Sequence, residues 1–193
     1  MIISKLFLDV HALKHYGLKD DGYSLHVLIY SLFPGNERDF LYYDYGMGNS
    51  GRTILIKSHS SPLVPEVGSL ESKRVAPEFY SHDRYGFQVL VNPVIKRKGN
   101  SSLVPVRGDK AIREWIFDRQ ESWGFSVDWN SLELEEKSVL VIPKGENRLV
   151  FNRYLLRGSL FVLDRANFLE SCERGIGRGK AFGFGMLQIR PLL

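Results

Sequence analysis

The chain has 193 residues, a net charge of +4, 44% hydrophobic and 12% aromatic content, and one cysteine. Such a length admits one large domain or two small ones, and this much apolar surface supports a packed core and excludes a disordered chain. The lone Cys172 excludes an intramolecular disulfide and a zinc site built on several cysteines, which fits a reducing, cytoplasmic setting.

The charge is unevenly placed. Residues 1–95 carry 9 Lys/Arg against 10 Asp/Glu, whereas 96–193 carry 17 against 12. A near-neutral first half joined to a basic second half points to an anionic partner read by the second half. A soluble protein with a basic surface gives the same numbers. No apolar run is long enough to span a membrane.

Residues 2–10 form a β-like apolar run, which reads as a strand and not as a signal peptide. Residues 11–22 are polar and punctuated, so a loop is expected. In 23–33, Leu25, Leu28, Ile29 and Leu32 fall at i, i+3, i+4 and i+7, the spacing of a helix with one buried stripe. Asp20 or Asp21 is the expected N-cap, and Pro34-Gly35 ends the helix. Tyr23, His26 and Tyr30 lie one turn apart on a second face.

Residues 40–45 and 53–57 read as strands joined by a glycine-rich turn. Residues 60–84 hold three prolines and suggest loops with a short helix. Residues 85–92 form a strand ended by Pro93. A basic hairpin or loop follows at 96–102, then a short apolar run at 103–106. Asp109 is expected to cap a helix over 109–123, closed by Gly124. Strands at 138–143 and 149–162 precede a helix at 164–174, capped by Asp164. A last strand is expected at 186–189.

From 103 onward the order is β-α-β-β-α-β, the ferredoxin-like pattern. The first half gives a similar order with an uncertain second helix. The expected fold class is α+β, with tandem ferredoxin-like domains at 1–94 and 95–193.

Between the last helix and the last strand lies Gly175-Ile176-Gly177-Arg178-Gly179-Lys180-Ala181-Phe182-Gly183-Phe184-Gly185. A Walker A loop is excluded, because Ala181 follows Gly179-Lys180 and Arg174 stands where the first glycine belongs. A dinucleotide fingerprint is excluded because Lys180 replaces its last glycine. What remains is a basic, glycine-rich loop, suited either to an anion or to tight helix–strand packing.

The five histidines have no metal-ligand spacing, and no nucleophile elbow is present. Tyr23 with His26 is the pair that carries chemistry: imidazole exchanges a proton near neutral pH, and a phenol one turn away orients it or the reacting oxygen. A surface or hydrogen-bonded histidine is the plain alternative. Lys96, Arg97, Lys98, Arg107, Lys110 and Arg113 form a basic stretch. It is either a solvated face or, on a ferredoxin-like scaffold, a set of RNA phosphate contacts.

Three stretches together resemble the CasE family, the repeat-RNA-processing endoribonucleases of the type I-E CRISPR Cascade complex. Tyr23-Ser24-Leu25-His26 running into Leu32-Phe33-Pro34 is similar to the family's Tyr-x-x-His helix. Val91-Asn92-Pro93 followed by basic residues is similar to its strand end between domains, although here Val94-Ile95 precede Lys96. Gly175 to Gly185 with Met186-Leu187 is similar to its C-terminal glycine-rich signature. The stretches 60–84 and 97–107 match less well.

The resemblance implies tandem ferredoxin-like domains. It also implies metal-independent cleavage of CRISPR repeat RNA at the 3′ base of its stem-loop, without cofactor, after which the product stays bound within Cascade. The 2′-hydroxyl attacks the adjacent phosphate and leaves a cyclic phosphate and a 5′-hydroxyl. In that chemistry His26 moves a proton, Tyr23 orients the attacking group or phosphate, and Lys180 with the loop amides stabilises the phosphorane-like charge. Gly177, Arg178 and Gly179 would join the basic stretch in holding RNA. The competing expectations are a non-catalytic subunit that only binds the stem-loop, and a small-molecule-binding regulatory domain pair.

Overall fold

The computed structural model describes residues 1–18, 22–35, 38–96, 103–144 and 147–192. Strand β1 (Ile2–Asp9) alternates inward and outward side chains, with Ile2, Ser4, Leu6 and Leu8 buried. Asp9 then caps a short helix, α1 (Val10–His15), by accepting a hydrogen bond from the Ala12 N–H at 2.8 Å. The loop expected at 11–22 is therefore partly helical. The cap and the buried Ala12 hold a turn too short to show apolar periodicity.

Helix α2 (Tyr23–Ser31) buries Leu25, Leu28 and Ile29, with Leu32 just beyond, as the spacing predicts. Its N-cap is Gly22, in the left-handed region at φ 65°. The expected caps Asp20 and Asp21 lie outside the described residues, as does all of the basic loop at 96–102 beyond Lys96. Strands β2 (Phe40–Met47) and β3 (Gly51–Ser58) follow. The expected loop region at 60–84 contains a strand, β4 (Ser69–Arg74), and a 3-10 turn at Pro77–Tyr80. The strand escaped prediction because it is a polar edge strand with almost no buried side chain, so it lacks the alternation that marks a half-buried one.

Further along come β5 (Arg84–Val91), β6 (Val94–Lys96), β7 (Leu103–Pro105), α3 (Asp109–Gln120) and β8 (Phe125–Val127). Then follow β9 (Glu133–Lys144), β10 (Asn147–Val162), α4 (Arg165–Arg174) and β11 (Gln188–Pro191). Asp164 caps α4 as expected, its carboxylate accepting from the Asn167 N–H at 3.0 Å. Asp109 does not cap α3. It is the first helical residue, and Gly108 stands at the cap position.

Two four-strand antiparallel frames result. The first runs β2-β3-β1-β4 and the second β11-β5-β10-β8, with the long β9 paired to the other end of β10. In each, the first and third strands of the unit lie at the centre with the second and fourth outside, the ferredoxin-like order. In the second frame the elements between them complete β-α-β-β-α-β, from β5 through α3, β8, β10 and α4 to β11.

This order corrects the expected boundary between 1–94 and 95–193. Strand β5, assigned to the first domain, is a central strand of the second sheet, pairing Leu90 with Leu155 and Phe87 with Ile189. Its inward residues Tyr85, Phe87, Val89 and Val91 pack with Trp115 and Ile116 of α3 and Phe168 of α4. The two sheets divide between β4 and β5. The run at 103–106, expected to open the second repeat, instead pairs with β6 in a separate ribbon, Val94 opposite Pro105.

A further apolar cluster joins the two sheets. Leu41 and Tyr43 from β2, Leu90 from β5, Leu155 from β10, and Phe184 and Met186 from the glycine-rich loop pack together. Each large apolar side chain so buried contributes about 1.5–3 kcal/mol. The loop thus forms part of the joint between the domains. Among the described residues no helix is long and apolar enough to cross a membrane.

Candidate functional site

Helix α2 directs its apolar stripe into the core of the first sheet, with Tyr30 packed at its edge, so the face with Tyr23 and His26 is left for the loop at 175–185. The loop's glycines decide how closely it can approach. A Cβ at Gly185 would fall 2.2 Å from the Ile176 carbonyl oxygen. One at Gly183 would fall 3.0 Å from the Tyr42 ring. Both residues hold positive φ, where side chains other than glycine are strained. The Gly185 N–H donates to the Leu90 carbonyl at 2.7 Å, and the Ile176 N–H donates to the Gly185 carbonyl at 2.9 Å. The ends of the loop are accordingly packing glycine, locked against both sheets.

Its middle is different. A 3-10 turn over Lys180–Phe182 turns the Ala181 carbonyl toward α2. That oxygen lies 2.7 Å from His26 Nδ1 and 3.2 Å from the Tyr42 hydroxyl, which donates to it. A carbonyl oxygen can only accept, so Nδ1 carries the hydrogen. Nε2 is then the nitrogen that gains or loses a proton. The imidazole is flanked by the rings of Tyr30, centroid at 4.3 Å, and Phe182, at 4.9 Å. The Tyr23 ring lies at 6.0 Å and is half-exposed. A histidine with one nitrogen anchored and its faces packed is held in a single orientation, which suits proton transfer to or from a docked oxygen.

Lys180 directly precedes Ala181, so the structure brings it to the same part of the molecule as His26. Partial burial, with the guanidinium groups of Arg38 and Arg174 nearby, holds the Lys180 ammonium below the usual lysine range, against a smaller pull from Glu170. Cations gathered near one another disfavour one another until an anion joins them. Arg38 and Arg174 were missed by sequence reasoning. Arg174 adjoins the glycine-rich loop and carried that one signal. Arg38 precedes β2 with no pattern around it.

The expected RNA-holding residues do not share one surface. A groove of about 410 Å³ brings Lys96 together with Gly177 and Arg178, and with Trp115, Arg119 and Trp123. Gly177 has open space around it: a Cβ added there would meet nothing nearer than the Trp115 ring, at 3.8 Å. Arg107 and Lys110 are exposed at the start of α3 and are not among the residues lining that groove. Arg113 is partly buried and donates to the Leu132 carbonyl at 3.1 Å, so one of its donors serves the fold. Gly179 packs against the rings of Phe184 and Phe151. Arg97 and Lys98 lie outside the described residues. Among the described residues no group of three or more His, Cys, Asp or Glu side chains is placed to hold a metal ion.

A family model described as CRISPR associated protein matches residues 1–191. Among solved structures, the CRISPR endoribonuclease Cse3 bound to a 19-nucleotide RNA superimposes with a TM-score of 0.83 at 22% identity, covering 99% of this chain and 100% of that one. The CRISPR-associated protein Cas6e from Escherichia coli K-12 gives 0.77 at 20% identity, with both chains covered completely. A chain of a CRISPR RNA-guided surveillance complex in a pre-nicking state gives 0.77 at 18% identity, again over both whole chains. No curated protein matches.

Proposed function

The chain belongs to the CRISPR-associated protein family whose model spans residues 1–191, and from that premise we propose that it is an endoribonuclease that cleaves CRISPR repeat RNA at the 3′ base of the stem-loop. The observation that carries this reading is the hydrogen bond of 2.7 Å between His26 Nδ1 and the Ala181 carbonyl. It orients a titratable imidazole beside a loop that also carries Lys180.

Cleavage requires no group from outside the chain and its substrate. The 2′-oxygen loses its proton and forms a bond to phosphorus, the bond from phosphorus to the 5′-oxygen breaks, and that oxygen takes up a proton. The products are a 2′,3′-cyclic phosphate and a 5′-hydroxyl. His26 Nε2 serves one of the two proton transfers, a contribution of roughly 10²–10⁴-fold. Lys180 faces the charge that grows on the phosphate oxygens. Tyr23 orients the attacking group or the phosphate. Lys96, Arg178 and the Gly177 backbone hold the RNA along the groove they line.

The likeness to an endoribonuclease bound to RNA, and to a chain of a surveillance complex, supports both the substrate and retention of the product as a Cascade subunit in the cytoplasm. The second reading, a subunit that binds the stem-loop without cutting it, rests on the same fold and the same groove. Incubating the protein with its own repeat RNA in EDTA separates them. Cleavage, reduced about 10²–10⁴-fold in His26→Ala with RNA affinity retained, is the expected result. Binding without cleavage by the wild type would establish the second reading, and wild-type cleavage by His26→Ala would overturn the mechanism.

A further inference from the structure

Lys57 lies on β3 and is 4% exposed. A buried ammonium is costly unless its donors are used. Its Nζ donates to two backbone carbonyls of the second domain, Cys172 at 3.0 Å and Leu187 at 2.8 Å. Cys172 is in the last turn of α4, where carbonyls have no partner within the helix and the helix dipole presents its negative end. Leu187 immediately precedes β11. These carbonyls are the two stems of the glycine-rich loop, gathered onto one cation that belongs to the first sheet.

Between the stems the loop is closed by the bond from the Ile176 N–H to the Gly185 carbonyl and anchored by the bond from the Gly185 N–H to Leu90. At its far end the Ala181 carbonyl accepts from Tyr42 and His26. The first domain therefore holds the loop at base and tip, and His26 is one of the tip contacts. A purely packing residue at 57 would leave two carbonyls without their donor. Burial pushes the Lys57 ammonium down from its ordinary range, opposed by Cys172 and Glu173, so the site keeps a side chain that is unfavourable to bury.

We propose that Lys57 is a positioning residue: by clamping both stems of the loop it places the Ala181 carbonyl against His26 and so sets the imidazole's tautomer and orientation. The proposal rests on the cleavage function above only for its kinetic consequence. A cavity of about 540 Å³ beside Lys57, lined in part by Ile3, Leu55, Phe79 and Met186, leaves room for a longer guanidinium.

The test uses the full chain without RNA, labelled with ¹⁵N-histidine. Long-range ¹H–¹⁵N spectra assign the His26 tautomer in the wild type, Lys57→Met and Lys57→Arg, and single-turnover cleavage of a repeat hairpin is measured on the same proteins. The wild type should show neutral His26 protonated on Nδ1. Lys57→Met should shift it toward the Nε2–H form favoured by free imidazole, and slow cleavage about 10–100-fold, the effect of a misplaced reacting group, with RNA affinity within about threefold of the wild type. Lys57→Arg should restore both readings. A folded Lys57→Met protein with the wild-type tautomer and rate overturns the proposal. Where Lys57→Met does not fold, Lys57→Gln carries the same test, because its shorter side chain cannot span both carbonyls. Absence of cleavage by the wild type would overturn the proposed function instead, and the tautomer comparison would still decide the role of Lys57.

Discussion

Substituting Gly185 by alanine tests whether the loop is a rigid joint. Gly185 has φ +77°, and its added Cβ would lie 2.2 Å from the Ile176 carbonyl oxygen, well inside the 3.0 Å that real Cβ contacts respect. The neighbour is backbone, so no side chain can swing away. The left-handed conformation alone costs an L-residue roughly 1–2 kcal/mol. Relieving the clash requires moving one of two hydrogen-bonded segments, since Gly185 donates to Leu90 and accepts from Ile176. Each such bond contributes about 0.5–1.5 kcal/mol net. Gly185→Ala should therefore destabilise by about 1.5–3.5 kcal/mol. Gly17→Ala is the matched control. Gly17 also has positive φ, +57°, but nothing lies within 4 Å of its Cβ position, so only the conformational cost of about 1–2 kcal/mol applies. Urea midpoints at constant slope measure the difference. Equal loss in the two variants would mean that the loop yields freely at Gly185, and the claim that it locks the two sheets would fail.

Two further predictions concern charge. The folded protein holds the Lys180 ammonium below its ordinary value of 10.5, chiefly through burial. The unfolded chain thus binds the proton more tightly, so carrying the ammonium costs stability in full below the folded value, and that cost is lost as pH rises from the folded value to 10.5. Lys180→Met should be more stable than the wild type near neutral pH, with the gap closing as pH rises from below 10.5 to that value, while RNA cleavage falls. Denaturant midpoints across pH give the check, and a gap that widens with pH would contradict it. Lys96→Gln combined with Arg178→Gln should weaken RNA binding across sequences and lower the salt dependence of log K by about 1 for each phosphate no longer neutralised. An unchanged salt slope would remove the groove from the RNA path.

The helical face on α2 was legible because apolar residues at i, i+3, i+4 and i+7 have one way to be buried together. The same spacing placed Tyr23 and His26 on the complementary face. The Asp164 cap was legible because it is local, a carboxylate three residues from the N–H it accepts. Strand β4 was not, since an edge strand exposed on both sides has no alternating pattern. Nor was the sheet to which β5 belongs. Its apolar alternation fits either core, and its partners β10 and β11 lie far along the chain. Arg38 became visible as a neighbour of Lys180 only once β2 was set beside the loop.

The glycine-rich loop divides along the same line. By itself the sequence determined that 175–185 is basic, glycine-rich and not a nucleotide-phosphate loop, because those motifs depend on spacing within a few residues. It also determined which helix carries Tyr23 and His26. Only the tertiary structure decided that Gly185 and Gly183 are there for close packing, that the Ala181 carbonyl faces His26, and that Lys57 clamps both stems. The contacts of His26 with Ala181 and of Lys57 with both stems join residues more than a hundred positions apart. Such pairings arise from how two sheets pack, which no local pattern of residues encodes.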